Sequence, residues 1–221
     1  KNGKPLGLLQ DEGYLTDVRT AVAGAICAKY LAPNNIQAIG IIGTGVQARM
    51  QLEYLKSVTD CRSAIVWGRS KSALDQYRTS MADSGFIIET TMALDQVTDN
   101  CNLIVTCTAS EKPLIIKDQI KGKIHITAMG SDTPNKQELD SNVLSKADLI
   151  IADSRSQCEV RGEIHHAIKN KIVSMDSIVE LGEIINGDRQ GRTTGSELTV
   201  ADLTGVAVQD IQISKAVLSN I

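Results

Sequence analysis

The chain has 221 residues, 42% hydrophobic and 22% charged, with a formal net charge of -3. That composition suits a soluble globular protein with a sizeable core in one large or two small domains. The lack of a basic run argues against nucleic acid as the main partner, and no apolar stretch approaches the roughly 20 residues that span a bilayer. The opening residues, Lys1-Asn2-Gly3-Lys4-Pro5, read as a strand and turn already inside a fold, with Asn2-Gly3 a hairpin signal; an upstream segment is therefore expected. Residues 14–32 follow as a helix that Thr16 could cap, ended by Pro33-Asn34-Asn35. Strands and helices then alternate: strand 38–42 and helix 46–58, strand 63–67 and helix 71–84, strand 86–89 and a short helix near 93–98. Next come strand 103–107, strand 123–128, a helix near 139–146, strand 149–152 and helix 155–169. A loop-like stretch at 186–197 precedes a last helix near 204–219. The strands are short and apolar without alternation, as strands buried on both faces are. The pattern implies an α/β chain with a Rossmann-type doubly wound parallel sheet.

The most informative turn is Gly43-Thr44-Gly45-Val46-Gln47-Ala48, a G-x-G-x-x-A between a strand and a helix. Gly43 allows the tight turn, Gly45 lets backbone approach a pyrophosphate, and Ala48 lets helix and strand pack closely. The helix N-terminus offers free N–H groups and partial positive charge to the phosphates. Other candidates follow the remaining strands, where open α/β sheets bind ligands. After the second strand, Arg69, Ser70 and Lys71 stand where NAD enzymes usually carry an acid for the ribose 2′-OH. They could hold a 2′-phosphate instead, which tilts the expected cofactor from NAD toward NADP(H). The same residues also read as a solvated basic loop. After the fourth strand, Thr108 and its neighbours could line a ribose or simply pack the strand end. No base sits nearby in sequence to activate Cys107 as a nucleophile.

After the fifth strand, Ala128-Met129-Gly130-Ser131-Asp132-Thr133-Pro134-Asn135-Lys136-Gln137-Glu138 brings an acid and a lysine to the expected reaction centre. From position alone Asp132 is either a general base or a turn residue. His165 and His166 point about 100° apart on a helix, so both cannot face one metal; no metal site is expected. The five scattered cysteines, odd in number and without a C-x-x-C, fit free thiols in a reducing cytoplasm.

Together these pieces resemble the ornithine cyclodeaminase/mu-crystallin family. The resemblance runs through Gly13-Tyr14-Leu15-Thr16-Asp17-Val18-Arg19-Thr20, the 43–48 turn, the 130–138 loop and Asp202-Leu203-Thr204-Gly205. Within the family it is closest to the ectoine-utilisation branch, itself similar to iminosuccinate reductases. Asn135 stands where the family often has glycine. The resemblance implies hydride transfer between a nicotinamide and the Cα of a small amino or imino acid. Arg19 would grip the substrate carboxylate, Gly205 would border the substrate and Asp132 would be the acid/base. Val46 and Gln47 would sit at the pyrophosphate with Gly43, Thr44 and Gly45. Thr108, Lys136 and Thr204 would contact the cofactor, and Ala128 and Met129 would back the nicotinamide. Two outcomes are chemically close, cyclodeamination and imine reduction; a non-catalytic NADP(H)-binding protein like mu-crystallin is the third. The resemblance also implies a homodimer. It divides the chain into 1–32, the end of a truncated substrate/dimerisation domain; 33–185, the dinucleotide-binding domain; and 186–221, a segment returning to the substrate domain.

Overall fold

A computed structural model describes residue 5 and residues 7–220; the hairpin expected at Asn2-Gly3 lies outside the described residues. The apolar runs read from the sequence become the strands β1 (Ile39–Ile42), β2 (Ser63–Trp67), β3 (Ile87–Thr91), β4 (Leu103–Thr106), β5 (His125–Ala128) and β6 (Leu149–Ala152). Two further strands, β7 (Ile178–Glu180) and β8 (Thr199–Asp202), complete one sheet in the order β3-β2-β1-β4-β5-β8-β6-β7. Every strand pairing among the described residues is parallel.

Helices cover both faces. On one side lie α1 (Tyr14–Leu31), α2 (Val46–Leu55), α3 (Lys71–Ser80) and α8 (Leu181–Ile185), packed with Ile39, Ile41, Val66 and Ala201 into one core. On the other lie α4 (Leu94–Asn100), α5 (Ser141–Leu144), α6 (Arg155–Cys158) and α7 (Glu163–Lys169), packed with Ile42, Ile104, Ile126 and Val200 into a second. Burial on both faces explains the apolar runs of β1, β2, β4 and β6, whereas the edge strand β3, Ile-Ile-Glu-Thr-Thr, has no buried residue. The last helix, α9 (Ala207–Leu218), has no buried residue and lies against α1. No helix among the described residues is long and apolar enough to cross a membrane.

Three expectations are corrected. Thr16 does not cap α1; it lies inside the helix, whose entry is made by Gly13 at φ 89° and by the Asp11 carboxylate accepting from the Leu15 amide at 2.7 Å. The helix expected at 155–169 is broken into α6 and α7. Gly162 sits at the break with φ 92°, and a Cβ there would stand 2.5 Å from Asp202 Oδ2. That same oxygen accepts the Ile164 amide at 2.8 Å. The final helix begins at Ala207, which leaves Thr204 and Gly205 in the loop after β8. Past residue 186, β8 enters the same sheet, pairing with β5 on one side and β6 on the other.

Candidate active site

Strand order reverses at β1: β2 lies on one side of it and β4 on the other. Beyond the carboxyl ends of β1 and β4, the loops separate into a crevice, the general ligand position of such sheets. Gly43 turns there at φ 133°, and a Cβ would meet the Cys107 carbonyl oxygen at 3.0 Å. Nothing lies within 4 Å of a Cβ built on Gly45, so backbone opens directly onto the crevice. A cavity of about 340 Å³ there is lined by Gly43 to Gly45, Trp67 to Arg69, Thr108 and neighbouring residues. Trp67 is the single tryptophan of the sequence. The ten-residue α2 presents its N-terminus at Val46 beside this cavity. Small residues, open backbone and a helix N-terminus together fit a pyrophosphate.

Other cofactor candidates have partners of their own. Gln47 Nε2 donates to the Asp17 carbonyl at 3.1 Å and to the Asp17 carboxylate at 2.9 Å. Its side chain therefore ties α2 to α1, while its backbone stays in the first turn of α2. The Ser70 hydroxyl caps α3, accepting from the Ala73 amide at 3.5 Å, while Arg69 is exposed. Cys107 Sγ lies 3.5 Å from the Ile42 carbonyl, and burial pushes its thiol up, so the chemistry of a thiolate is disfavoured.

The loop after β5 is organised around a residue to which the sequence assigns no role. Glu138 is fully buried, and its carboxylate accepts four hydrogen bonds. Thr108 donates twice to Oε1, from its amide at 2.6 Å and its hydroxyl at 2.7 Å. The Thr106 hydroxyl and the Gly130 amide donate to Oε2 at 2.7 and 2.8 Å. Burial raises the Glu138 pKa, and these four donors pull it back down. Farther along the loop, the Ser131 hydroxyl and His166 Nε2, at 2.9 Å, both donate to the Lys136 carbonyl. Between these anchors Lys136 Nζ pairs with Asp132 at 2.7 Å; Asp132 remains 54% exposed. His165 lies apart, its Nδ1 2.8 Å from the Glu159 carbonyl.

A second group forms around Gly205, at φ 81°. A Cβ there would stand 3.0 Å from Arg19 Nη1, so the guanidinium lies over bare backbone. Arg19 also donates to Asp210 at 3.0 Å and to Gln209 at 3.2 Å, both on α9. Beneath it, the Asp153 carboxylate accepts the Gly205 amide at 2.6 Å and the Thr204 hydroxyl at 3.2 Å. The adjoining groove of about 540 Å³ is mainly apolar, with Val22, Ile26, Ile185 and Val208 among its walls.

The predicted residues thus fall into three groups: the glycine turn, the Asp132–Lys136 loop and the Arg19–Gly205 corner. Ala128 and Met129 are buried at the end of β5. The sequence reading misses the buried acids that hold these groups: Glu138, Glu163, Asp202 and Asp153. Glu163 accepts the amides of Glu138 and Leu139 at 2.7 and 3.1 Å. Burial raises the pKa of Asp153, Glu163 and Asp202, and Asp202 Oδ1 has no hydrogen-bond partner among the described residues. No local signal marks them: an acid before an apolar residue, as in Glu138-Leu139, recurs at the exposed Asp210-Ile211.

Comparison with known proteins identifies a family and shared folds. The sequence model of the Ornithine cyclodeaminase/mu-crystallin family matches residues 1–221. A protein of Sinorhizobium fredii named an uncharacterized cyclodeaminase is 39% identical over 216 residues, covering 97% of this chain and 65% of the relative. An archaeal alanine dehydrogenase dimer with bound NAD superposes with a TM-score of 0.92 at 34% identity, covering 100% of this chain and 69% of that one. The iminosuccinate reductase of Paracoccus denitrificans in complex with NAD+ gives 0.88 at 35% identity, covering 93% and 63%. The chain therefore spans about two thirds of the length of these proteins.

Proposed function

The chain belongs to the ornithine cyclodeaminase/mu-crystallin family, and we propose that it serves NAD(P)-dependent hydride transfer at the Cα of a small α-amino or α-imino acid. The observation that carries this reading is the Gly43-Thr44-Gly45 turn, open in front of Gly45, with the Asp132–Lys136 loop nearby at the end of β5. When bound, the nicotinamide supplies or accepts the hydride.

The chain's own residues do the rest. Amides of the turn and of the α2 N-terminus hold the pyrophosphate. Arg69 takes a 2′-phosphate or lies beside the ribose, with the Ser70 hydroxyl next to it. Thr108, Lys136 and Thr204 contact the cofactor, and Ala128 and Met129 form the floor under its ring. Arg19 orients the substrate carboxylate over Gly205, a paired task suited to a guanidinium. Asp132 gives a proton to the reacting nitrogen or takes it back. Residues 1–32 and the α9 end complete the substrate region, and two copies associate, as in the archaeal relative.

Net reduction or oxidation is the first reading, because alanine dehydrogenase and iminosuccinate reductase are names of net redox enzymes. Cyclodeamination, in which the hydride returns, is the second, supported by the name of the Sinorhizobium relative. The test is to offer the full-length protein pyrroline-2-carboxylate or iminosuccinate with NADH and NADPH, then ornithine or diaminobutyrate with NAD. Loss of nicotinamide absorbance with an imine supports the first reading. Ammonia release without net absorbance change supports the second. Absence of both, with no energy transfer from Trp67 to added NADH or NADPH, overturns the proposal.

A further inference from the structure

We propose that Glu138 is a positioning residue: its buried carboxylate fixes the distance between the Thr108 segment after β4 and the Gly130–Asp132 segment after β5, and so sets where Asp132 stands. The proposal rests on the reading of Asp132 as the acid/base. Few structural tasks need a buried acid, because removing a carboxylate from water is costly unless its oxygens are filled. Here both are filled, two donors to each, from Thr106, Thr108 and Gly130.

The two strand ends are also pressed together around it. A Cβ on Gly130 would lie 2.1 Å from the Thr108 carbonyl and 2.6 Å from Glu138 Oε2. Asp132 follows Gly130 by two residues, so the Gly130 amide bond anchors the near side of its loop. Ser131 and His166, both on the Lys136 carbonyl, anchor the far side. Glu138 is itself pinned from behind, because Glu163 holds the amides of Glu138 and Leu139. Asp132 is thus an exposed side chain on a segment fixed at both ends, and Glu138 is the point where that segment meets the cofactor-side loop.

The chemistry of the carboxylate supplies the test. In Glu138→Gln the amide keeps one acceptor oxygen, and its NH2 group faces either the Gly130 or the Thr108 amide, neither of which can accept. One loop is released while shape is preserved. In the full-length protein, kcat is expected to fall by roughly 10- to 100-fold, the scale of a small misplacement of a reacting group. The NADH dissociation constant, read by energy transfer from Trp67, should change by much less than kcat. The isotope effect from 4-deuterated NADH should rise as hydride transfer becomes limiting. Amide hydrogen exchange at Gly130 or Thr108 should quicken without NADH present, with β1 unchanged.

Should Glu138→Gln fail to fold, Thr106→Val removes a single donor and should give a smaller fall of the same kind, restored by Thr106→Ser. A folded Glu138→Gln with wild-type kcat and exchange overturns the proposal. So does one that loses NADH binding while kcat is kept. A wild type that neither binds nor turns over nicotinamide would sink the functional reading instead, and the exchange measurement would still decide the role of Glu138.

Discussion

Asp132 and Lys136 stand four residues apart on one loop and pair at 2.7 Å, with the acid still half exposed. Asp132 lies at the surface of its loop and holds no other element in place. Replacing it by Asn should therefore leave the fold and Trp67-detected NADH binding intact while turnover falls by about 10²- to 10⁴-fold, the range of general acid–base catalysis. Turnover unchanged with every competent substrate would remove Asp132 from the mechanism. Arg19 is held differently: its guanidinium meets Asp210 and Gln209 at once and overlies Gly205. Arg19→Lys keeps the charge but not the fork. The substrate KM should rise by roughly 10-fold or more, with a smaller change in kcat and none in NADH binding. Gly43 and Gly45 announce themselves in the sequence by residue type and by their place after a strand, whereas the roles of Asp132 and Gly205 come from the family resemblance. The tie made by Gln47 was not legible there. Its partner Asp17 is 30 positions away on another helix, and nothing in the 43–48 turn points to it. The buried acids were hidden for the same reason: their partners are backbone amides and threonine hydroxyls that only the tertiary fold brings to them.

The junction between α6 and α7 depends on one glycine. Gly162 has φ 92° and lies against the Asp202 carboxylate, which caps the start of α7 through the Ile164 amide. Gly162→Ala adds both backbone strain and a steric conflict with a buried acid. It should cost about 1–3 kcal/mol or more, a fall in melting temperature of roughly 2–12 °C for a chain of this size. An unchanged melting temperature would show that the junction relaxes freely. Helical periodicity across 155–169 is continuous to the eye, and only the left-handed residue breaks it. The elements seen correctly in the sequence, β1 to β6, are those with four or more apolar residues or a following helical pattern. β7 and β8 have three and four residues, and β8 carries Thr199 and Asp202 at its ends. Those ends are buried because His125 and the Leu31 carbonyl meet Thr199, and the Ile164 amide meets Asp202. These partners come from tertiary structure and leave no local trace.

At the scale of the whole molecule, opposing ionisations set the response to acid. His125 is buried between the hydroxyls of Thr199 and Thr127, and burial, with Arg192 nearby, pushes its pKa down to about 3. Below its ordinary value of 6.5 the unfolded chain binds a proton that the folded chain refuses. Stability from this group is complete above that value and is lost as pH falls toward about 3. Glu138, Glu163 and Asp202 act in the opposite sense. Their raised folded values favour the native state at low pH, an advantage lost as pH rises through them. His125→Gln should therefore lower stability at neutral pH yet flatten or reverse the loss on acidification, as read by calorimetry between about pH 7 and pH 4. An unchanged slope would show that His125 titrates normally. The sheet order has a consequence of another kind. The last strand among the described residues, β8, is the one that joins β5 to β6. During synthesis the chain must hold two partial sheets, each with a bare parallel edge, until residues 199–202 have left the ribosome. A message cut short between β7 and β8 would yield not a slightly smaller protein but two unjoined pieces, each with an edge open to pairing with other chains.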